Sequence, residues 1–269
     1  MKTFFRYSIL TFATMVFVYP FLWMVSATVK PEREIGGWHL IPHHFTLEHY
    51  VAVFQKIPIF RSFGNSLLVA LSVVGSVLVF GSWVGYALSR LRFRGRQTLD
   101  HVILFVMVLP FQLTLIPMYL LIVKLGWIDT YLAVIVPFMM SSFAIILFRQ
   151  FFKSLPQDLI DAARIDGCSE LGIIFRIFWP LSIPALITVG ILTFMQIWNE
   201  VLWPLMVIHK QELMVMPQLV TLFALGGASE GQLGVQLAAA TLLALPIALV
   251  YIFFQRYFIE SMATTGLKE

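Results

Sequence analysis

The sequence has little charge and almost no cysteine. Only 12% of its 269 residues are Asp, Glu, Lys or Arg, whereas 59% belong to the set AVILMFWYC and the mean hydropathy is +0.88. Because an average soluble domain carries about 25% charged residues, this scarcity excludes an ordinary cytosolic enzyme and a disordered chain. The single cysteine, Cys168, excludes a framework of intramolecular disulfides. The composition predicts an integral membrane protein.

The motifs of common enzyme classes are also missing. The chain has no Gly-Lys dipeptide and therefore no G-x-x-x-x-G-K-[ST] loop to hold a nucleotide phosphate. Histidines cluster at 39–49, but Pro42 interrupts helical spacing and no cysteine accompanies them, so a solvated or partner-facing loop is favoured over a zinc site. None of the six histidines falls in the middle of a long apolar window: His39, His43, His44, His49, His101 and His209. We expect no enzyme and no metal or cofactor bound by this chain.

Charged residues separate six long uncharged windows of at least 19 residues each. A bilayer helix needs about 20 residues to cross roughly 30 Å, so each window predicts one span. Prolines in these windows, such as Pro110 and Pro184, are expected to kink the helices. The transmembrane region is expected over 7–260, flanked by the short termini 1–6 and 261–269. The expected spans are 7–29, 65–89, 101–123, 130–149, 179–203 and 234–255.

A seventh apolar window, 213–229, is shorter and is broken by Pro217 and by the pair Gly226–Gly227. Its residues Met216, Leu219, Val220 and Phe223 repeat at helical spacing. This pattern favours an external loop that carries a short interfacial helix over a further span.

The basic residues predict the orientation. With six spans both termini lie on one side, and that side holds twelve of the Lys and Arg residues against six on the other. Because basic residues accumulate on the cytoplasmic side, both termini are expected in the cytoplasm. The same bias explains the formal net charge of +4 without a nucleic-acid partner.

Two further patterns concern the ends and the packing of the spans. Gly81 and Gly85 form a G-x-x-x-G on the second span, which predicts the close approach of another helix. Tryptophans near the span ends are expected to anchor at the lipid headgroups; they are Trp23, Trp38, Trp127, Trp198 and Trp203.

The cytoplasmic segment 150–178 is long and structured in pattern. Ser154-Leu155-Pro156-Gln157 has capping-box spacing, and Asp158 and Asp161 follow near the positive end of a helix predicted from about Pro156 to Asp166. Its apolar face is expected to contain Leu155, Leu159, Ala162 and Ala163, and Gly167 is expected to end the helix. A second helical stretch is expected from Ser169.

The amino-acid sequence of this segment resembles a known signature. Asp161-Ala162-Ala163, then Gly167, and after nine residues Ile177 and Pro180, is similar to the E-A-A-x-x-x-G-x(9)-I-x-L-P motif of inner-membrane subunits of binding-protein-dependent ABC importers. Asp161 stands where the motif has Glu, and Trp179 stands where it has Leu. SRLRFRGR after the second span and WNEVLWPL at the end of the fifth resemble the carbohydrate-uptake branch, specifically its smaller, maltose-transport-type permease subunit.

The resemblance implies an all-α type I importer permease with six transmembrane helices and a cytoplasmic coupling helix. It implies that this helix docks on an ATPase subunit through Asp161, Ala162, Ala163, Asp166 and Gly167. ATP and Mg²⁺ would be used by an ATPase dimer, a second permease would complete a heterodimer in the bilayer of a bacterial inner membrane, and an external solute-binding protein would deliver the solute.

Solute contacts are expected from Asn199, Glu200 and Trp203, because these residues offer hydrogen bonds and an aromatic face near the outer end of the fifth span. For Trp203, structural anchoring is the favoured role. The solute is expected to be a sugar or oligosaccharide; a polyol, glycerol phosphate or peptide stays open. A secondary carrier is less favoured because Glu200 is the only candidate for an intramembrane acid.

Overall fold

The computed structural model describes residues 2–37, 39–226 and 232–266, and the side chains of 4–37, 39–226 and 232–255. Trp38, Gly227 and the side chains of the 261–269 tail lie outside the described residues, and the expectations on them stay predictions. In the described part of the chain, every regular element is helical. This all-helical content confirms the predicted fold class.

The chain divides into two compact units. The terminal unit contains Met1–Phe63 and Val215–Pro246, and the central unit contains Gly64–Met214 and Ile247–Glu269. Two of the three boundaries fall within long helices, Ile59–Arg90 and Leu233–Gly266, and the third lies just before the helix Met216–Leu225. In chain order the α-helices are α1 Lys2–Ala27, α2 Glu48–Lys56, α3 Ile59–Arg90, α4 Arg96–Val108, α5 Phe111–Lys124, α6 Tyr131–Ile135, α7 Ser142–Ser154, α8 Asp158–Ile165, α9 Glu170–Ile173, α10 Trp179–Leu181, α11 Ile183–Trp198, α12 Leu202–Val207, α13 Met216–Leu225 and α14 Leu233–Gly266.

Four helical stretches are long and apolar enough to cross a membrane, and two bent pairs bring the number to six if each pair is one span. The four are Phe4–Ala27, Ile59–Arg90, Tyr131–Ser154 and Leu233–Gln255. Each overlaps a predicted span. The third is not one continuous helix, because a 3₁₀ turn, Val136–Phe138, and a short extended stretch separate α6 from α7.

The spans predicted over 101–123 and 179–203 are both bent, as their prolines predict. The first region is α4 and α5 at an angle of 100°, and the second is Glu170–Leu181 followed by α11 at 88°. Proline explains the first break, because Pro110 has no N–H and holds Leu109 in an extended conformation. At the second break Ser182 leaves helical geometry before α11 starts with Pro184 in its first turn. Helix α11 also ends at Trp198, and α12 is a separate helix.

The terminal unit contains the short helix predicted in the seventh window. Helix α13 has ten residues, and a rise of about 15 Å is too short to cross a bilayer. All four residues of the predicted face, and Gln218 as well, are buried. This face therefore packs against the protein, whereas Leu222 and Leu225 on the other side are exposed.

A carboxylate caps the start of α14 in the same unit. Glu32 accepts hydrogen bonds from the backbone N–H groups of Leu233 at 2.6 Å and Gly234 at 3.0 Å, which satisfies two donors that a helix start leaves free. Position 234 requires glycine, because a Cβ there would lie 2.3 Å from the buried ring of His49. His49 itself hydrogen-bonds the carbonyl oxygen of Lys30 at 2.7 Å.

The central unit depends on the close contact of α3 with α7. A Cβ at Gly81 would lie 3.3 Å from Ala144 Cβ, and one at Gly85 would lie 2.7 Å from Phe148 Cβ and 3.0 Å from the backbone nitrogen of Arg149. The predicted close approach at this G-x-x-x-G is therefore confirmed, and the partner helix is in the same chain. Next to this contact Arg149 forms an ion pair with Asp100 of α4 at 2.8 Å.

The turn between α5 and α6 holds the segment that follows α12. Asp129, in the left-handed region at φ 57°, accepts hydrogen bonds at Oδ1 from the backbone N–H groups of His209 at 2.5 Å and Lys210 at 2.9 Å. The bond from His209 is the main reason that the pKa of Asp129 is below its usual range. The carboxylate therefore stays charged and joins two segments that are about 80 residues apart in sequence.

The tryptophans only partly follow the predicted pattern. Trp23 donates from Nε1 to the carbonyl oxygen of Gly37 at 3.1 Å, and Trp127 is half-buried. Trp198 and Trp203 are fully buried in the central unit. The prediction that these two rings anchor at the headgroups is therefore wrong.

The α3–α7 contact gives a matched pair of variants. Gly85→Ala places a methyl group in contact with Phe148 and the α7 backbone, so we expect a loss of stability of about 1–3 kcal/mol. Gly75→Ala adds the same group to the same helix where nothing lies within 4 Å, and its better helix propensity keeps or raises stability. Thermal unfolding midpoints of the purified protein in detergent measure both; equal midpoints for the two variants would contradict the close contact.

Candidate coupling surface and solute cavity

The predicted coupling helix is α8, and its start differs from the prediction. Ser154 is the last residue of α7 and its Oγ donates to the carbonyl oxygen of Phe151 at 2.7 Å, so it caps no helix. Leu155 is extended, as the residue before a proline favours, and α8 begins at Asp158 rather than at Pro156. The capping box is therefore wrong, whereas Asp158 and Asp161 do lie in the first turn, where the helix dipole favours negative charge.

The end of α8 is a full Schellman motif, which confirms the predicted role of Gly167. Gly167 has φ +79°, and its N–H bonds the carbonyl oxygen of Arg164 at 3.1 Å while the N–H of Cys168 bonds that of Ala163 at 2.9 Å. The space around Gly167 is open, since no atom lies within 4 Å of the position that a Cβ would take there. The helix thus ends on a glycine in an open position.

The buried side of α8 follows the prediction only at Ala163 and at the preceding Leu155, which packs against the same core. Ile160 and Ala163 are buried in a core cluster with Phe148, Phe152 and Phe178, whereas Leu159 and Ala162 are exposed. Ile160 and Ala163, three residues apart, therefore form the side of α8 that packs against the rest of the chain. Ala163, at 5% exposure, is a core residue and is not available to a docking partner.

The outward side of α8 is a short surface that we call the docking face, defined by Asp161, Ala162, Ile165, Asp166 and Gly167. All five are exposed, so four of the five predicted docking residues lie together on it. Ile165 was not predicted, although it is 86% exposed. The signal was present in the sequence, because an isoleucine outside the buried spacing of an otherwise polar helix points away from the core.

A series of hydrogen bonds connects the last turn of α8 to α3. Arg164 donates from Nε to Glu170 Oε1 at 2.9 Å and forms an ion pair with the same carboxylate. The other oxygen of Glu170 accepts a hydrogen bond from the hydroxyl of Tyr86 on α3. Glu170 also raises the pKa of Arg164, so the guanidinium stays charged. Glu170 therefore connects α8, α9 and α3.

A second series of hydrogen bonds holds the other end of α8. Arg90, the last residue of α3, donates to Gln157 Oε1 at 2.9 Å and to the carbonyl oxygens of Phe152 and Leu155. Gln157 in turn donates to Asp161 Oδ1 at 3.1 Å. Both ends of α8 are thus attached to the same long helix.

The segment after Gly167 follows the predicted order. Ser169 accepts at Oγ from the N–H of Gly172 at 3.2 Å and so caps α9, which continues into a π-helical turn, Ile174–Phe178. Trp179 then donates from Nε1 to Ser82 Oγ on α3 at 3.0 Å. A leucine, which the family signature has at this position, would make no such bond.

The three residues predicted for solute contact form hydrogen bonds within the chain, and Asn199 and Glu200 stay accessible. Asn199 donates to the carbonyl oxygen of Met195 at 2.8 Å, and Glu200 accepts from the N–H of Trp203 at 3.0 Å. Trp203 is 0% exposed and donates from Nε1 to the carbonyl oxygen of Ala133 at 2.8 Å. Pro137, four residues after Ala133, has no N–H for that carbonyl. Trp203 therefore replaces a missing helical bond, in agreement with its favoured structural role.

An open cavity of about 360 Å³ in the central unit lies at the helix breaks. It contains five uncharged polar side chains, Thr114, Ser141, Ser142, Thr193 and Gln196, beside the rings of Phe111, Phe138 and Phe143. The remaining lining residues are apolar: Val73, Val77, Val106, Met107, Leu109, Met118, Pro137, Met140 and Ile197. Sequence reasoning missed Thr193 and Gln196, although they are polar residues three apart in an apolar window.

Among the described residues, no group of three or more His, Cys, Asp or Glu side chains is arranged to hold a metal ion. In the 39–49 segment the rings of His39 and His43 meet edge to face at 5.7 Å. Only His49 of this segment is a buried histidine, and its bond is to a backbone carbonyl.

These features define a class of protein: a multi-pass helical membrane protein with a short helix presented outside its spans on a rigid glycine-terminated motif. A family model, described as the binding-protein-dependent transport system inner membrane component, matches residues 77–264. The chain belongs to this family.

Three curated relatives extend the match over nearly the whole chain. It is 36% identical to the arabinooligosaccharides transport system permease protein AraQ of Halalkalibacterium halodurans, over 96% of this chain and 93% of the relative. It is 34% identical to AraQ of Bacillus subtilis, over 95% and 92%. It is 30% identical to the lactose transport system permease protein LacG of Rhizobium radiobacter, over 96% and 93%. These relatives are permease subunits, which are transport components rather than enzymes.

Solved structures confirm the fold. A chain of a bacterial ABC transporter involved in the import of the acidic polysaccharide alginate has a TM-score of 0.83 and 25% identity, with coverage of 95% of this chain and 96% of that chain. A chain of the alginate transporter in complex with an alginate pentasaccharide-bound periplasmic protein has a TM-score of 0.64 at 16% identity, with coverage of 94% and 93%. This second likeness concerns the fold alone.

The Glu170 connection predicts a local change in dynamics. Glu170→Gln removes the charge that holds Arg164, so we expect the amides of 160–168 to exchange hydrogen about threefold faster or more. The exposed Glu48, replaced by Gln, is the control and leaves this segment unchanged. Hydrogen exchange followed by mass spectrometry in lipid nanodiscs measures both variants.

A double-mutant cycle with Tyr86→Phe tests the same chain of bonds. Because both side chains act on one carboxylate, their effects on the exchange rate are expected to be non-additive. Additive effects, or equal exchange in the Glu170→Gln and Glu48→Gln variants, would show that Glu170 does not hold α8.

Proposed function

We propose that this chain is the membrane-spanning subunit of an ATP-driven importer whose solute is a sugar or oligosaccharide. Family membership supports the importer, and the names of the relatives, which concern arabinooligosaccharides and lactose, support the saccharide. A polyol, glycerol phosphate or peptide has no such support. The docking face is the observation that carries the coupling role. Helix α8 is attached to α3 at both ends, and it presents the exposed Ile165 beside Asp161, Asp166 and Gly167.

The docking face has the shape and chemistry of a small knob. Ile165 supplies an apolar side chain for a pocket, and Asp161 and Asp166 supply negative charge that fixes the register against basic residues of a partner. Ala162 and Gly167 allow close approach because they have little or no side chain. We assign this knob to a cleft on an ATPase subunit, with Asp161, Ala162, Asp166 and Gly167 retained as docking residues and Ile165 added.

The partners follow from this assignment. ATP and Mg²⁺ are used by an ATPase dimer, and this chain binds no cofactor. A second permease completes the pathway in the lipid bilayer, and a soluble binding protein delivers the solute; the description of the family as a binding-protein-dependent transport system supports that delivery. Both termini lie in the cytoplasm, and the membrane is of the bacterial inner-membrane type.

The coupling then uses the bonds around α8. Closure of the ATPase dimer moves the docking face, and Glu170 and Arg90 carry that movement to α3, because each joins the α8 region to the same long helix. A helix held at both ends moves as a rigid body, so the spans change between two arrangements rather than deforming gradually.

The assembly itself provides the first test. The chain purified with its partners and reconstituted in liposomes is expected to take up a neutral oligosaccharide only when ATP is inside and a liganded binding protein is outside. Uptake of solute by this chain alone, driven by an ion gradient, would overturn the importer.

Gly167 provides the second test. Gly167→Asp adds a side chain and a charge to the docking face at a left-handed backbone position, so we expect ATP-driven uptake to fall about tenfold or more while membrane insertion stays normal. The matched control is Gly126→Asp, which also has positive φ and open space around it, at φ +67°, but lies in the turn before α6. Wild-type uptake in the Gly167→Asp variant would overturn the docking assignment.

A further inference from the structure

We propose that the open cavity of the central unit is a subsite for one ring of a neutral saccharide on its way through the membrane, with Gln196, Thr193 and Ser142 as its hydrogen-bonding residues. The inference rests on the proposed function and adds to it the place of binding and the charge class of the solute. Nothing in the names of the relatives places a solute on this permease subunit.

The position of the cavity carries the first step. Its lining includes Leu109 and Phe111 on the two sides of the α4–α5 break, and Phe138 and Met140 at the α6–α7 break. Non-helical backbone at membrane depth is tolerated where it is enclosed by protein or lines a water-filled cavity. Two breaks that meet at one open cavity are therefore typical of a solute pathway rather than of a lipid-facing surface.

The free hydrogen-bonding capacity carries the second step. Thr114 donates within its own helix to the carbonyl oxygen of Phe111 at 2.8 Å, and Ser141 accepts from Ala144 as the cap of α7. Ser142, Thr193 and Gln196 make no side-chain hydrogen bond to the described part of the chain. An amide and two hydroxyls without partners at membrane depth are costly unless water or a ligand pairs with them.

Apolar surface completes the site. Phe111, Phe138 and Phe143 border the same space, and Met107, Met118 and Met140 supply further apolar contacts. Sugar rings present hydroxyls at the rim and C–H groups on their faces, so they require both kinds of surface. A cavity of about 360 Å³ lies at the lower end of the usual range for ligand pockets, about 300–1,000 Å³, which suits one ring of a longer chain.

The absence of charge sets the class of solute. None of the described residues that line the cavity is Lys, Arg, Asp or Glu. A uronate carboxylate in this cavity would be desolvated without a positive partner, which is strongly unfavourable. The subsite therefore selects neutral saccharides, unlike the acidic polysaccharide named for the structural neighbour.

The first experiment measures uptake by the assembled importer in liposomes, with saturating binding protein and with arabinotriose, maltotriose and trigalacturonate as probes. Gln196→Leu keeps the side-chain volume and removes the amide, so we expect the maximal uptake rate of the neutral trisaccharide to fall about fivefold to tenfold. The control is Gln112→Leu, an exposed glutamine of α5 outside the lining.

The second experiment measures protection of a single thiol and holds even if Gln196→Leu assembles poorly. Cys168 is the only native cysteine, so Cys168→Ser gives a thiol-free background for Gln196→Cys and Gln112→Cys. Neutral trisaccharide is expected to slow modification of the Gln196→Cys variant by a polar methanethiosulfonate, whereas trigalacturonate does not, and the Gln112→Cys variant is unaffected by either.

The outcomes separate the two proposals. Wild-type assembly that imports no saccharide overturns the proposed function. Saccharide import by the wild type, with unchanged uptake in Gln196→Leu and no protection of the Gln196→Cys variant, overturns the subsite and leaves the cavity to lipid or to a second permease. If trigalacturonate is imported, or protects the Gln196→Cys variant, in preference to the neutral probes, the proposed selectivity for neutral saccharides is overturned.

Discussion

The contact of α3 with α7 at Gly85 fixes the arrangement on which the coupling region depends. Phe148 Cβ lies 2.7 Å, and the backbone nitrogen of Arg149 lies 3.0 Å, from the position that a Cβ would take at residue 85. Only glycine, which has no Cβ, allows this approach. Phe148 and Phe152 consequently enter the core beside Phe178. The end of α7 then lies where Arg90 of α3 can reach its last carbonyl groups. The start of α8 is therefore set by a glycine on another helix.

That arrangement explains why α8 can serve two surfaces at once. An eight-residue helix is too short to be stable on its own, so its stability comes from burying Ile160 and Ala163 and from the side chains that hold its ends. Because the buried side needs only these two residues, the rest of the helix is free to carry Asp161, Ile165 and Asp166 outward. The exposed isoleucine is the apolar side chain that the proposed docking would bury.

The sequence predicts those parts of the molecule that local chemistry determines. The apolar windows, the glycine end of α8, the start of a helix at Ser169 and the close approach at Gly81 and Gly85 each follow from a few neighbouring residues. Window length alone predicts six spans, which is the number in the described part of the structure if each bent pair is one span. What the sequence does not determine is which neighbour a side chain meets.

The failures share that origin. Ser154 has the spacing of a cap for α8, but α7 continues through Ser154 and ends there, before Leu155 and Pro156. Leu159 and Ala162 have helical spacing, as do Ile160 and Ala163, and only the tertiary position of the phenylalanine cluster decides which pair is buried. Trp203 has the chemistry to bind a sugar, but its ring is buried and its N–H is used by a backbone carbonyl, as one polar atom each of Asn199 and Glu200 is used by nearby backbone groups.

The fate of those three residues connects the helix breaks to the cavity. A proline in a span leaves a carbonyl without its usual donor, and hydrocarbon supplies no water to replace it. At Pro137 the orphaned carbonyl of Ala133 takes the indole N–H of Trp203, which closes that side of the break with a buried ring. On the other side of the break the polar groups that line the cavity include Ser142, Thr193 and Gln196, and no comparable aromatic donor covers them among the described residues. A break that is sealed on one side and left polar on the other has its unsatisfied groups facing the open space, which is where a solute with many hydroxyls would be bound.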